Sequence, residues 1–378
     1  MKQDWKFGVL DDAVDRGSSN ISLNKIKDDD GEFPVFGAKG FIQNASFYQQ
    51  ENQYLAIIKD GAGIGRVSTH PEKSSVLATM QYILPKQSYD IKFLYYFLNS
   101  IDFNKYRTGS TIPHIYYKNY KLEPFPLVSK EEQKQIVVKL DRCFEAIDKA
   151  RANAAKNLEN AKELFQSKLN DIFSQKGEGW VEKKLGDVCS LIKRGIPPKY
   201  IETGGIQVVN QKCIRNHKVN LTLARRHNIV LKSVSQEKLI QIGDVLVNST
   251  GVGTLGRVAQ VRDSIISDTT VDTHVTIVRP IPDLFFIDFF GYVLIKIEDE
   301  ITKSGEGASG QTELARTKLQ NNFIVSYPTS LEEQKQIVKI LDSLKKQTQS
   351  LESKYQQELN SLEELKKSIL QKAFEGEL

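Results

Sequence analysis

The sequence predicts an α+β (mixed α/β) chain built twice from the same parts. A globule and a long helix are followed by a second globule and a second long helix, and the two helices pair as an antiparallel coiled coil. Three observations carry this expectation. Residues 131–173 and 332–374 align without a gap and open almost identically, Glu131-Glu-Gln-Lys-Gln-Ile-Val137 against Glu332-Glu-Gln-Lys-Gln-Ile-Val338. An internal repeat of this kind sets the reading of the whole chain. Both copies place apolar residues at alternating three- and four-residue steps, the seam of a coiled coil. Between them lie short β-rich runs broken by Gly and Asn around one or two helices, which is the pattern of a mixed domain.

The first globule occupies 1–130. Trp5 and Leu10 open it, and the Gly-rich turn Gly61-Ala-Gly-Ile-Gly-Arg-Val67 separates two apolar stretches. A strand ending in Pro (Tyr82-Ile-Leu-Pro85), an aromatic helix (Phe93-Leu-Tyr-Tyr-Phe-Leu98) and a Gly/Ser/Thr segment at 109–111 follow. Pro126 then stops earlier structure, and Ser129-Lys-Glu-Glu132 has the Ser-x-x-Glu form of a capping box, which satisfies free N–H groups at a helix start. The first long helix, 131–173, carries Ile136, Leu140, Ile147, Ala154, Leu158, Ala161, Phe165 and Ile172 on one stripe. At ~1.5 Å per residue it is a rod of roughly 65 Å. Its eight basic and eight acidic residues leave it neutral.

Residues 174–179 form a short polar linker into the second globule, 174–331, whose landmarks repeat those of the first: Trp180 and Leu185, Gly251-Val-Gly-Thr-Leu-Gly-Arg-Val258, Ile277-Val-Arg-Pro280, Phe289-Phe-Gly-Tyr-Val-Leu294 and a Gly/Ser/Thr segment at 305–312. Pro328 and Ser330-Leu-Glu-Glu333 introduce the second helix, 332–378, with Ile337, Leu341, Leu344, Thr348, Leu351, Tyr355, Leu362, Leu365 and Ile369 along its seam. A single amphipathic helix could equally lie on its own globule. Two copies of equal length favour pairing with each other.

Composition narrows the class. The chain has 378 residues, enough for two or three domains, and no run of eighteen apolar residues, so no membrane span is expected. The N-terminus lacks the apolar stretch of a signal peptide and the three cysteines are too few for a disulfide framework, so a cytoplasmic protein is expected. The net charge is only +5, but 193–232 holds nine basic residues against one acid, Glu202. His217, His227, Asn210, Gln211 and Asn216 lie within that run. Such a local excess points to a polyanion, although a solvated basic face would look the same. The first globule is nearly balanced, with Asp28-Asp-Asp30 beside Lys25 and Lys27.

No catalytic centre emerges. Gly251-Val-Gly-Thr-Leu-Gly-Arg257 imitates the spacing of a phosphate-binding loop but has Arg-Val where Lys-Ser/Thr is needed, so it reads as a tight turn. Asn-Pro-Pro-aromatic, the motif of amino-methyltransferases, is missing, and Cys213, His217 and His227 fit a surface or a phosphate contact better than zinc. A binding protein is the better reading.

The chain resembles the specificity subunit of a type I restriction–modification enzyme. Pro126…Glu132-Gln-Lys-Gln-Ile136 and Pro328…Glu333-Gln-Lys-Gln-Ile337 carry the resemblance, with the ending Ser368-Ile-Leu-Gln-Lys-Ala-Phe-Glu-Gly-Glu-Leu378. Phe33-Pro-Val-Phe-Gly37 and the turn at 251–257 resemble the family's target-recognition domains. No extra helix precedes the first of these, which is expected to begin almost at Met1. The resemblance implies two target-recognition domains, each reading one half of a split site in double-stranded DNA, with the rods setting the gap. It implies as partners two modification (methyltransferase) subunits and motor–nuclease restriction subunits. S-adenosylmethionine, ATP and magnesium are expected on those partners and no cofactor on this chain. For phosphate contact in the second domain we select Lys193, Arg194, Lys212, Arg215, Arg225 and Arg226, with Asn210 and Gln211 as base readers. Lys39, Arg66 and Arg107 are weaker candidates in the first, and Arg66 and Arg257 hold equivalent positions that could be structural. A duplicated scaffold without nucleic acid, an orphan or decoy subunit, and an enzyme with an unrecognised nuclease site remain as alternatives.

Overall fold

A computed structural model describes residues 5–262, 268–306 and 312–377. The 305–312 segment therefore lies mostly outside the described residues. The chain forms two compact units, each holding one globule with the start of its own long helix and the end of the other. The first unit is Met1–Asn157 with Lys354–Leu378, and the second is Leu158–Ser353.

In the first unit an antiparallel sheet runs in the order Val14–Ser18, Met80–Pro85, Tyr54–Ile58, Val67–His70. Its two central strands alternate into two apolar clusters, one on each face, so Leu55, Ile57 and Ile83 pack with Phe93 and Phe97 of helix Ile91–Ser100. Asp90 caps that helix by accepting from Lys92 N (2.8 Å) and Phe93 N (3.0 Å). A smaller sheet orders Gly40–Ala45, Phe33–Gly37 and Ser75–Val76. The second unit repeats the main sheet in the same order, Cys189–Arg194, Val275–Pro280, Val245–Asn248, Val258–Gln260, against helix Phe289–Lys296. Its second sheet is larger: Tyr200–Ile201, Arg225–His227, Ile206–Val209, Thr269–Val271, the last pairing parallel.

Both Gly-rich segments are hairpin turns. Gly256 has φ +89° and a Cβ there would sit 2.1 Å from Thr302 Oγ1, while Gly65 has φ +81° and faces Phe103 at 2.5 Å. Only glycine fits either position without strain.

The long helices are Lys130–Ser174 and Leu331–Phe374. Within the first unit they run antiparallel: Asp148 meets Lys366 (3.1 Å), and three residues further along Arg151 meets Glu363, three residues back. Leu370, Ala373 and Phe374 join Ile136, Leu140 and Phe144 in one core. The second unit repeats the arrangement with the roles exchanged, Leu169 and Phe173 packing with Ile337, Val338 and Leu341. The apolar seam differs in detail from the sequence expectation. Leu351 and Leu365 are exposed, whereas Phe144, Val338 and Phe374 are buried. Near each rod end the buried face is chosen by the globule it lies on as well as by the other helix, while Leu351 lies mid-rod and its exposure has no structural explanation.

Each globule is locked to its own rod by the same four groups. Trp5 Nε1 donates to Glu132 Oε1 (2.8 Å), and Trp180 Nε1 to Glu333 Oε1 (2.9 Å). Gln133 is fully buried, accepting from Asp90 N (2.8 Å) and donating to Ser88 O (3.3 Å) and Val128 O (3.1 Å). Gln334, equally buried, accepts from Phe286 N (2.7 Å) and donates to Leu284 O (3.3 Å) and Pro328 O (2.8 Å). Asp141 accepts from Lys92 (2.6 Å) and Tyr96, and Asp342 from Arg262 (2.6 Å) and Tyr292. Only half of the expected capping box forms: the Ser129 and Ser330 hydroxyls accept from Glu132 N (3.2 Å) and Glu333 N (3.3 Å), while the glutamates accept from tryptophan.

Candidate nucleic-acid interface

The basic run of the second globule folds into the mixed sheet and the loops around it. On the exposed side of strand Arg225–His227, the Arg225 guanidinium stacks on the Tyr200 ring, 3.3 Å from its centroid. Stacking fixes the plane of the donor fork and keeps its charge, and the adjoining exposed aromatic is a face of the kind bases stack on. Lys212 and Arg215 are also exposed, with no side-chain partner among the described residues. Arg215 stands in a two-stranded hairpin opposite Lys218. Asn216 and His217 make its turn, both left-handed at φ +52° and +56°, as such tight turns require.

The other candidates have internal work. Lys193 pairs with Glu237, and Arg194 pairs with Glu313 and donates to Leu314 O (2.7 Å). Asn210 caps the turn after it, accepting from Lys212 N (2.9 Å) and donating to Leu223 O (3.2 Å). Gln211 Oε1 accepts from Thr254 Oγ1 (3.0 Å) and so ties this loop to the Gly-rich turn. Arg226 donates to the carbonyls of Gly204 and Gly205, the latter at 3.1 Å, and Arg257 to Gly253 O (2.7 Å). In the first unit Arg66 folds across its own turn, where a Cβ on Gly63 would meet its Nη2 at 2.6 Å. Lys39 is exposed in the turn between strands Phe33–Gly37 and Gly40–Ala45, and Arg107 is exposed just after the short helical turn Phe103–Tyr106.

The two histidines differ from the sequence reading. His227 is fully buried, accepting from Lys199 N (2.8 Å) and donating to Lys232 O (2.8 Å), which fixes the proton on Nε2. His217 pairs with Glu298 at 2.5 Å. Cys213 is buried, and burial pushes its thiol up, away from the thiolate a metal would need. Among the described residues no cluster of ligands could hold a metal ion.

Sequence reasoning missed a cavity of about 500 Å³ in the second unit, lined by Lys218, Gln260, Arg262, Asp342 and Lys345. Burial, with Arg262 and Lys218 nearby, pushes the Lys345 amine down to about 8. In the first unit the equivalent position is Phe144, whose ring packs edge-on against Tyr96 at 5.3 Å. The signal was present in the repeat as this one Phe-to-Lys exchange. It also missed Tyr200, since a lone tyrosine in a basic run carries no periodicity.

A duplicated mixed domain docked on paired rods, with a cationic and aromatic surface in its second copy, defines a class of protein suited to bind a polyanion. The sequence profile of the type I restriction modification DNA specificity domain matches residues 2–157 and again 177–361, and the chain belongs to this family of DNA-binding specificity subunits. It is 24% identical over 328 residues to the type I restriction enzyme EcoBI specificity subunit of Escherichia coli, covering 78% of this chain and 67% of that one. Two solved structures share the fold. One, a chain from work on complex assembly and conformational transition of the type I R-M system, has TM-score 0.78 at 19% identity, with full coverage of both chains. The HsdS subunit from Thermoanaerobacter tengcongensis has TM-score 0.59 at 19% identity, covering 99% of this chain and 97% of that one. No helix among the described residues is long and apolar enough to cross a membrane.

Proposed function

We propose that this chain supplies the DNA address of a type I restriction–modification enzyme and none of its chemistry. The observation that carries the reading is the repeated lock. The same Trp–Glu and buried Gln set holds each globule on a rod, while the surfaces so presented have diverged. Equivalent frames bearing unlike surfaces suit an asymmetric site split into two half-sites, as a symmetric frame suits a palindrome. The paired rods would set the gap and offer a surface to two modification subunits, with restriction subunits joining them. S-adenosylmethionine, ATP and magnesium would reside on those partners, and the complex would work in the cytoplasm.

Purified alone, the chain is expected neither to methylate nor to cut DNA. With its cognate modification subunit it should direct adenine methylation to a split motif with two different halves, which methylome mapping would reveal. Methyl transfer by the lone chain, in a preparation free of that partner, would end the non-catalytic reading.

Charge removal should separate contact residues from structural ones. Lys212, Arg215 and Arg225 present exposed cations, so their combined change to alanine should weaken DNA binding and flatten its log–log salt dependence by up to about 2.7, at ~0.9 per phosphate. Arg226→Ala and Arg257→Ala remove groups that hold loop carbonyls, and should lower stability more than they change that slope. An unchanged slope in the triple variant would place the run on a solvated face.

A further inference from the structure

We infer that the loop 228–232 of the second globule is an apolar wedge that enters a groove of the bound DNA and unstacks a base step. The inference rests on the DNA-reading function proposed above. Ile229, Val230 and Leu231 are consecutive and 45, 91 and 73% exposed. Single exposed apolar residues are ordinary, but three in a row on a fixed tip need a partner to leave water.

The tip is held in shape rather than left to collapse. Asn228 Oδ1 accepts from Val230 N (3.0 Å) and Leu231 N (3.1 Å), and Lys232 N donates to Asn228 O (3.2 Å). Beneath it the buried His227 ring bridges Lys199 N and Lys232 O, closing the loop at its base. Preorganisation of this kind lowers the entropy lost on binding.

Its surroundings decide which partner fits. The tip continues directly from strand Arg225–His227 and is flanked in sequence by the exposed cations Arg225 and Lys232, with Tyr200, on which Arg225 stacks, one strand over. An apolar protein surface would gain little from those cations. A duplex would meet them with phosphates and accept the aliphatic tip between base pairs, as minor-groove proteins do with Leu and Ile.

The test uses the full chain assembled with its modification subunit, on the DNA site that methylome mapping defines. 2-Aminopurine, which brightens on unstacking, is placed at each purine position in turn. The methylated adenines of both half-sites are left out, since each methyltransferase subunit itself flips its target base. One position should brighten with the natural chain and stay dark with Val230→Ser/Leu231→Ser. The double variant should bind about tenfold more weakly with an unchanged salt slope, because no phosphate contact is removed. A bright step that persists in the variant, or none with the natural chain, overturns the wedge while leaving the DNA-reading function standing. A variant that binds DNA normally but loses the modification subunit assigns the tip to a protein partner and overturns it too. Absence of any sequence-dependent binding by the natural assembly would defeat the DNA-reading function itself, and the wedge with it.

Discussion

Gln334→Leu is expected to destabilise the second unit by roughly 2–4 kcal/mol, far more than its conservative volume suggests. Leucine fills the space but satisfies none of the groups that Gln334 serves. Phe286 N–H and the carbonyls of Leu284 and Pro328 remain, in a site with no exposure at Gln334. Replacing one partner of a buried hydrogen bond costs more than replacing both, since the other stays unsatisfied. Hydrogen exchange gives the sharper readout: protection should fall around 284–286 and in the first turns of Leu331–Phe374, and stay unchanged around Ser88, Asp90 and Gln133. The matching Gln133→Leu change should give the mirror pattern. Equal protection in Gln334→Leu and the natural chain would mean that the lock is not what holds globule to rod.

That lock also shows how far the sequence could be read. The repeat Glu-Gln-Lys-Gln-Ile stood out at once, and both helix starts followed from Ser129, Pro126 and their counterparts to within one residue, whereas the second helix stops at Phe374 and not at the expected 378. Trp5 and Trp180 were marked as equivalent. Their partners were not, because a contact between Trp5 and Glu132 spans most of a domain and leaves no periodic trace. A local rule, the capping box, offered a competing use for the same glutamate, and tertiary contact prevailed. The Gly-rich turns were legible because positive φ is written in the residue type itself.

Charge was the least legible feature. Counting cations in 193–232 says nothing about which of them the fold occupies internally, and the acids that occupy Lys193 and Arg194, Glu237 and Glu313, lie outside the run. His227 looked like part of a basic surface and is instead the buried keystone of a loop. Seam residues failed where a globule takes over the burial, as at Phe144, and also at Leu351 in the middle of the second rod.

The divergence of the rods yields the last expected result. A half-chain ending at residue 176 carries one globule and one whole rod, and leaves uncovered the groove that Leu370, Ala373 and Phe374 fill in the first unit. A second copy can offer its own rod end, with Leu169 in place of Leu370 and Phe173 in place of Phe374. The half should therefore dimerise, and with modification subunits read a symmetric site made of one half-site and its inverted copy. It should do so weakly. Lys162 would stand where Glu363 meets Arg151, Phe165 where Lys366 meets Asp148, Lys168 where Ile369 packs, and Ile172 where the buried Ala373 leaves room only for a methyl group. Because the twofold dimer makes this contact twice, four lost surface pairs at about 0.2–1 kcal/mol each and two overpacked sites at about 1–3 kcal/mol each give a penalty on the order of 6 kcal/mol, roughly ten-thousandfold. Changing Lys162→Glu, Phe165→Lys, Lys168→Ile and Ile172→Ala together converts the rod end into its counterpart and should recover most of that factor. Sedimentation equilibrium of the two half-chains measures it. A half-chain that stays monomeric at high concentration and with modification subunits present, or a converted one that dimerises no more tightly, would show that equivalence between the rods is not what assembles the frame. The expected result would mean instead that the duplicated rods have drifted apart in ways that make each prefer the other to itself.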